Sequence, residues 1–199
     1  MASDFVSYTQ FIFHKGIRCI DYMDLKGKCY TGSYTTRSKN QRPFSTLELV
    51  DLGYANPASK HTLHYIPNEY DALTNYQLRT CPDGYLASVR LGNADTGNGT
   101  GEAIEYKYKV EDGANSILKI KYAVVLSNPH PETPEANPQF WLDVWCNGRA
   151  IANDCGFAFF TAGDSESSGW LEGATGWLYK EWTEHSINLR DYIGQTLTI

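Results

Sequence analysis

The stretch Ser88-Val89-Arg90-Leu91-Gly92-Asn93 decides the fold when it is read with the three segments that follow it. These are Glu102-Ala103-Ile104-Glu105-Tyr106-Lys107-Tyr108, then Leu118-Lys119-Ile120-Lys121-Tyr122-Ala123-Val124-Val125-Leu126, then Gln139-Phe140-Trp141-Leu142-Asp143-Val144-Trp145. Each alternates apolar and polar residues or is a short β-rich apolar run, and each is closed by Gly, Asn, Asp or Pro. That pattern predicts consecutive antiparallel strands in an all-β, jelly-roll-like sandwich of two antiparallel sheets with long loops. Such a fold has no long helix whose N-terminus could hold a phosphate. Recognition or chemistry must therefore come from loops or from a sheet face.

Upstream of that block, residues 4–24 are apolar and β-prone, with Phe5-Val6-Ser7-Tyr8 and Phe11-Ile12-Phe13. Residues 30–46, rich in Thr, Ser, Arg and Asn, read as an irregular loop, and Leu47-Glu48-Leu49-Val50 as a short strand. Residues 53–84 hold many turn formers, among them Asn56-Pro57, Pro67-Asn68 and Pro82-Asp83-Gly84. A long, weakly regular segment in a compact domain is often functional. One-turn helical pieces are expected near Asp71-Ala72-Leu73 and Leu189-Arg190-Asp191-Tyr192. Downstream, the 127–138 loop is stiffened by Pro129, Pro131, Pro134 and Pro138. Ala158-Phe159-Phe160 and Trp177-Leu178-Tyr179 flank a Gly/Ser-rich loop at 163–169. No repeat and no linker divides the 199 residues, a length that suits one domain with its own core.

The net charge is −6 and no Lys/Arg run occurs, which argues against nucleic acid as a partner. No apolar stretch is long enough to span a membrane, so no membrane insertion is expected. Met1-Ala2-Ser3-Asp4 lacks the basic-then-apolar pattern of a signal peptide, so export would rely on a signal removed or lying upstream. The 14 Tyr, 8 Phe and 5 Trp suit half-buried pleated surfaces, and the same aromatics would serve a sugar-binding face. The five cysteines, Cys19, Cys29, Cys81, Cys146 and Cys155, form no CxxC pair, which argues against structural zinc. Cys19/Cys29 and Cys146/Cys155 each flank a short loop. Either is a candidate hairpin disulfide in an oxidising compartment, with buried free thiols as the alternative.

Six residues are candidate ligand contacts: Trp141, Trp145, Trp170, Trp177, Tyr179 and Arg90. Trp141 and Trp145 are an even number of residues apart in one strand and share a face, while Phe140, Leu142 and Val144 form the other. One face is core. Two Trp on a non-core face would make a stacking platform for sugar rings, unless the 127–138 or 163–176 loop covers them. Trp170 and Trp177 sit among Gly and Ser, as binding-loop aromatics do. Arg90 and Glu102 fall on successive predicted strands and suggest a cross-strand ion pair, with ligand binding by Arg90 as the rival. Asp83, Asp95 and Glu102, with Asn93 and Asn98, are weak candidates for a structural Ca²⁺ ion. Oxygen ligands on turns suit that ion, although no Asp-x-Asp-x-Asp spacing is present. No other cofactor is expected. His61, His64 and His130 lack a metal-binding spacing, and there is no GxSxG elbow, so no catalytic residue is assigned.

Several stretches together resemble a β-sandwich module of large secreted and surface proteins of Bacteroidota, often found near PKD-type domains and sorting tails. They are His61-Thr62-Leu63-His64-Tyr65, Thr80-Cys81-Pro82-Asp83-Gly84-Tyr85, Ala87 to Asn93, Gly101-Glu102-Ala103, Lys121 to Leu126, Asn137-Pro138-Gln139-Phe140, and Glu181 to Leu189. The resemblance covers roughly residues 55–199, with 1–54 matching loosely as N-terminal strands and loop of the same domain or appended to it. In the family the strand at Thr196-Leu197-Thr198-Ile199 continues into an Asp-Cys segment. The resemblance therefore implies a module truncated at its C-terminal end, with an exposed last strand and an unpaired cysteine. It also implies a secreted or cell-surface location beside other domains of one long chain. The function expected is non-catalytic adhesion or binding of a glycan or host or surface glycoprotein. A ligand-free structural spacer is the alternative, and a jelly-roll glycoside hydrolase a third reading, open because carboxylate pairs meet only in three dimensions.

Overall fold

The computed structural model describes residues 5–12, 32–39, 48–50, 53–54, 61–64, 66, 68–85, 88–92, 101–110, 117–127, 137–151, 157–162 and 169–199. They form an all-β sandwich. Its strands are β1 (Phe5–Ile12), β2 (Gly32–Lys39), β3 (Glu48–Val50), β4 (Gly53–Tyr54), β5 (His61–His64), β6 (Ser88–Leu91), β7 (Gly101–Lys109) and β8 (Ile117–Ser127). There follow β9 (Gln139–Asp143), β10 (Trp145–Cys146), β11 (Arg149–Ala150), β12 (Phe157–Thr161), β13 (Leu171–Glu172), β14 (Trp177–Asn188) and β15 (Thr196–Thr198). One sheet has the order β13-β14-β8-β1-β6-β5-β4, the second β11-β10-β15-β7-β2-β3, and β12 pairs with β9 in a two-stranded ribbon. All ladders are antiparallel except β4–β5.

The four segments that decide the fold class are strands, but β6, β7 and β8 are not neighbours. The chain alternates between sheets: β6 lies in the first, β7 in the second and β8 in the first again. Arg90 therefore sits opposite Tyr8 of β1 and Thr62 of β5, while Glu102 sits opposite Ser38 of β2. The expected cross-strand relation between Arg90 and Glu102 does not arise, because β6 and β7 lie in different sheets and are not ladder neighbours. The 30–46 region also departs from expectation. Its polar residues form β2, paired with β7 from Gly32 to Lys39. Thr and Ser have no apolar period to announce a strand, and the long partner β7 supplies the ladder.

β8 is the centre of the molecule. Leu118, Ile120, Tyr122, Val124 and Leu126 point into the sandwich and pack with Phe140, Leu142, Val144, Ile187, Leu189 and Leu197. Each such burial contributes about 1.5–3 kcal/mol relative to exposure. Ala123 and Val125 face the other way and are equally buried, against Leu78 and Tyr179. Their cover is the 66–85 segment, whose one helical turn, Ala72–Thr74, is capped by Asp71 accepting from the Leu73 N–H at 2.6 Å. Burial on both faces is why 123–126 reads as an unbroken apolar run.

β14 carries a register shift between Lys180 and Thr183. Before it, Tyr179 lies on the outer side with Val125; after it, Ile187 lies on the inner side with Leu118. One irregularity thus reverses the phase of the strand and turns Trp182 so that its indole N–H donates to the Arg79 carbonyl at 2.8 Å. β15 lies between β10 and β7, so the last strand is interior to its sheet and not the exposed edge expected. Cys81 and Cys146 are free thiols. The Cys146 thiol donates to Gln195 Oε1 at 2.9 Å, so the Cys146/Cys155 hairpin disulfide is not formed. Cys19, Cys29 and Cys155 lie outside the described residues.

Candidate functional site

The outer face of β9 and β10 gathers the exposed aromatics. Phe140, Leu142 and Val144 are buried, so the alternate residues Trp141, Asp143 and Trp145 turn outward. Trp141 is 48% exposed and Trp145 42%. Trp141 lies opposite Phe159 of β12, itself 39% exposed, and the two rings stack with centroids 5.7 Å apart and planes 24° apart. Stacking two large rings on an outward face fixes their orientation and leaves π surface open to solvent.

Asp143 lies between the two Trp positions and opposite Phe157 in the β9–β12 ladder. It was not among the residues singled out from the sequence, although the period of two that links Trp141 to Trp145 runs through it. Burial pushes its carboxyl above the ordinary carboxylate range. Beyond Trp145 the register runs to Thr198 of β15 and on to Lys107 of β7, which is exposed. The face therefore offers aromatic rings, a carboxylate, a hydroxyl and an ammonium on one β surface, which is the donor and acceptor set that sugar hydroxyls need.

The other candidates are engaged within the fold. Tyr179 is buried with Val125, Ala123 and Leu78 and is not a surface contact residue. Its β14 neighbour Trp177 packs half-buried against the same group. Trp170 meets Phe160 edge-on, centroids 6.4 Å apart, and the Lys180 ammonium lies 4.8 Å from both ring centres. Burial holds the Lys180 amine below its usual pKa. The Gly and Ser around Trp170 and Trp177 therefore accompany packed aromatics.

Arg90 lies beneath the 66–85 segment rather than at the aromatic face. Burial lowers its pKa, and the charges of Asp71 and Glu69 oppose that loss. Nearby, His64 Nδ1 and Glu69 Oε2 are 2.7 Å apart, and the Thr80 hydroxyl donates to the same carboxylate oxygen at 2.9 Å. Burial lowers the His64 pKa despite the Glu69 contact, so a neutral ring donates to an ionised carboxylate. Burial alone would raise Glu69, but the His64 and Thr80 hydrogen bonds outweigh it and hold Glu69 below its ordinary range. Burial pushes the Cys81 thiol up, away from the thiolate a nucleophile needs. The cluster is a polar layer that seats the segment on the sheet.

Of the weak calcium candidates, Asp83 is exposed and ion-paired with Arg79. Asp95 and the Glu102 side chain lie outside the described residues, as do His130 and most of the 127–138 and 163–169 loops. Among the described residues no group of three His, Cys, Asp or Glu is placed to hold a metal ion. No described helix is long and apolar enough to cross a membrane. The chain matches no protein-family model, no curated protein and no solved structure.

Proposed function

We propose that this chain is a non-catalytic carbohydrate-binding module of a secreted or cell-surface protein. Its binding surface would be the outer face of β9, β10 and β12. The observation that carries the reading is the half-exposed Trp141–Phe159 stack in β9 and β12, with Trp145 exposed at the start of β10, which follows β9 directly. Large apolar rings left in water on a sheet face are unfavourable unless a partner covers them. Sugar rings do so with their C–H faces, while Asp143, Thr198 and Lys107 meet the hydroxyls. Adhesion to a glycan or glycoprotein, alongside other domains of a long chain, follows from that surface together with the resemblance of residues 55–199 to surface modules of Bacteroidota. A ligand-free spacer is the second reading, favoured by the packing of Trp170, Trp177 and Tyr179 inside the fold.

The test is a broad glycan and glycoprotein array probed with the folded chain and with Trp141→Ala, each with calcium and with chelator. Saturable, sugar-specific signal that Trp141→Ala removes supports the binding module, and chelator sensitivity reports a calcium ion. A blank array from folded protein favours the spacer. Signal unchanged in Trp141→Ala places the site elsewhere and overturns the assignment of this face.

A further inference from the structure

Resting on the carbohydrate reading of the same face, we propose that the sugar bound there carries an unacetylated amino group, whose ammonium is taken by the Asp143 carboxylate between Trp141 and Trp145. The geometry supplies the first argument. Trp141, Asp143 and Trp145 occupy alternate positions along the chain from β9 into β10, and their inward neighbours Phe140, Leu142 and Val144 are buried. Alternate positions on an extended strand are about 7 Å apart. A pyranose stacked on either indole therefore brings a ring substituent within reach of the carboxylate.

The second argument is charge. The faces of indole and phenyl rings are electron-rich and attract cations. Trp141, Phe159, Trp145 and Asp143 thus each favour a positive group along the same stretch of β9 and β10. A neutral hydroxyl would satisfy the carboxylate only in part, whereas an ammonium restores the interaction that burial has taken from it. An acidic sugar would be repelled by Asp143. Lys107 does not cancel this preference, because it is two strands away from Trp145, at about 10 Å. The chain as a whole also carries a net charge of −6.

The experiment is calorimetric titration of the folded chain with a β-linked glucosamine oligomer, its fully N-acetylated counterpart, a neutral glucose oligomer and an oligo-uronate. The titrations are run at mildly acidic pH and low salt, in parallel with Asp143→Asn and Trp141→Ala. A charge-assisted hydrogen bond in place of a neutral one predicts about tenfold tighter binding of the glucosamine oligomer than of the acetylated one. Asp143→Asn should erase that preference while keeping the neutral oligomer, and Trp141→Ala should weaken all of them. Equal affinities in the unaltered chain, or a preference that survives Asp143→Asn, overturns the inference and leaves the carbohydrate reading intact. Preferred binding of the oligo-uronate overturns it in favour of Lys107. Failure of the folded chain to bind any of the four, together with a blank array, removes the carbohydrate reading itself.

Discussion

Gly173 passes directly over the carbonyl of Leu73, and the two segments are tied there by the Ala174 N–H donating to Leu73 O at 2.8 Å. The Asn75 side-chain amide donates to Gly173 O at 2.8 Å and closes the same junction. The β13–β14 turn thereby pins the helical turn of the 66–85 segment onto the first sheet, over Val125 and Tyr179. A Cβ on Gly173 would overlap the Leu73 carbonyl oxygen, and backbone on both sides leaves little room to give.

Gly173→Ala is therefore expected to cost about 2–3 kcal/mol, the scale of an overpacked core. Gly176→Ala is the control. Its φ is +85° but nothing lies within 4 Å of the added carbon. It should cost about 1 kcal/mol from left-handed backbone alone. Thermal unfolding of the two variants side by side checks the difference.

Trp141→Ala and Trp177→Ala should separate binding from stability. Trp141 is half in water and stacks on Phe159, so its loss should cost about 1 kcal/mol while removing sugar binding. Trp177 packs against the second core group, so its loss should cost about 2 kcal/mol and leave binding at the β9 face unchanged. Denaturant unfolding and array signal, measured on both variants, test this. Equal stability loss with loss of binding only in Trp177→Ala would move the site to the β13–β14 turn.

Trp170→Ala should remove one of the two rings beside Lys180. A cation over aromatic faces contributes about 0.5–2 kcal/mol, so a stability loss of that size is expected. The amine should also return toward its ordinary pKa as water reaches it. The rate of amine labelling at fixed mildly alkaline pH would then fall at Lys180 and nowhere else.

The layer under the 66–85 segment should make stability depend on acid. The folded-state pKa of His64 lies below its ordinary 6.5, so the unfolded chain takes up a proton first. Stability is then lost as pH falls below about 6.5. Glu69, held below its ordinary 4.5, adds a further loss below that pH. Asp71 works the other way, because burial raises its pKa and its protonation relieves that cost. His64→Gln should flatten the fall in melting temperature between neutral pH and about pH 5. An unchanged slope in that variant would show that His64 is not the group responsible.

The parts of this fold that were legible in the sequence are those governed by the two-residue period of a strand. Phe140, Leu142 and Val144 against Trp141 and Trp145 divide into buried and exposed faces as the alternation predicts, because one strand side must bury while the other can stay in water. The two single helical turns also fall where Asp71 and Leu189 place them. β2 was not legible, since its Thr- and Ser-rich residues carry no apolar period. Nor was the reversal of phase in β14, which depends on a bulge set by pairing with β8.

The sequence by itself determined the all-β class, most strand positions and the division of 140–145 into two faces, because side-chain alternation and turn chemistry are local. Only the tertiary structure decided which sheet each strand joins, because strand pairing is a contest between segments far apart in the chain. It placed Arg90 under the 66–85 segment, in a different sheet from Glu102, and it buried Tyr179 while leaving Trp141 in water. Those outcomes depend on what lies across the sheet, and the residues that cover Tyr179 are about a hundred positions away, at Leu78 and Leu73.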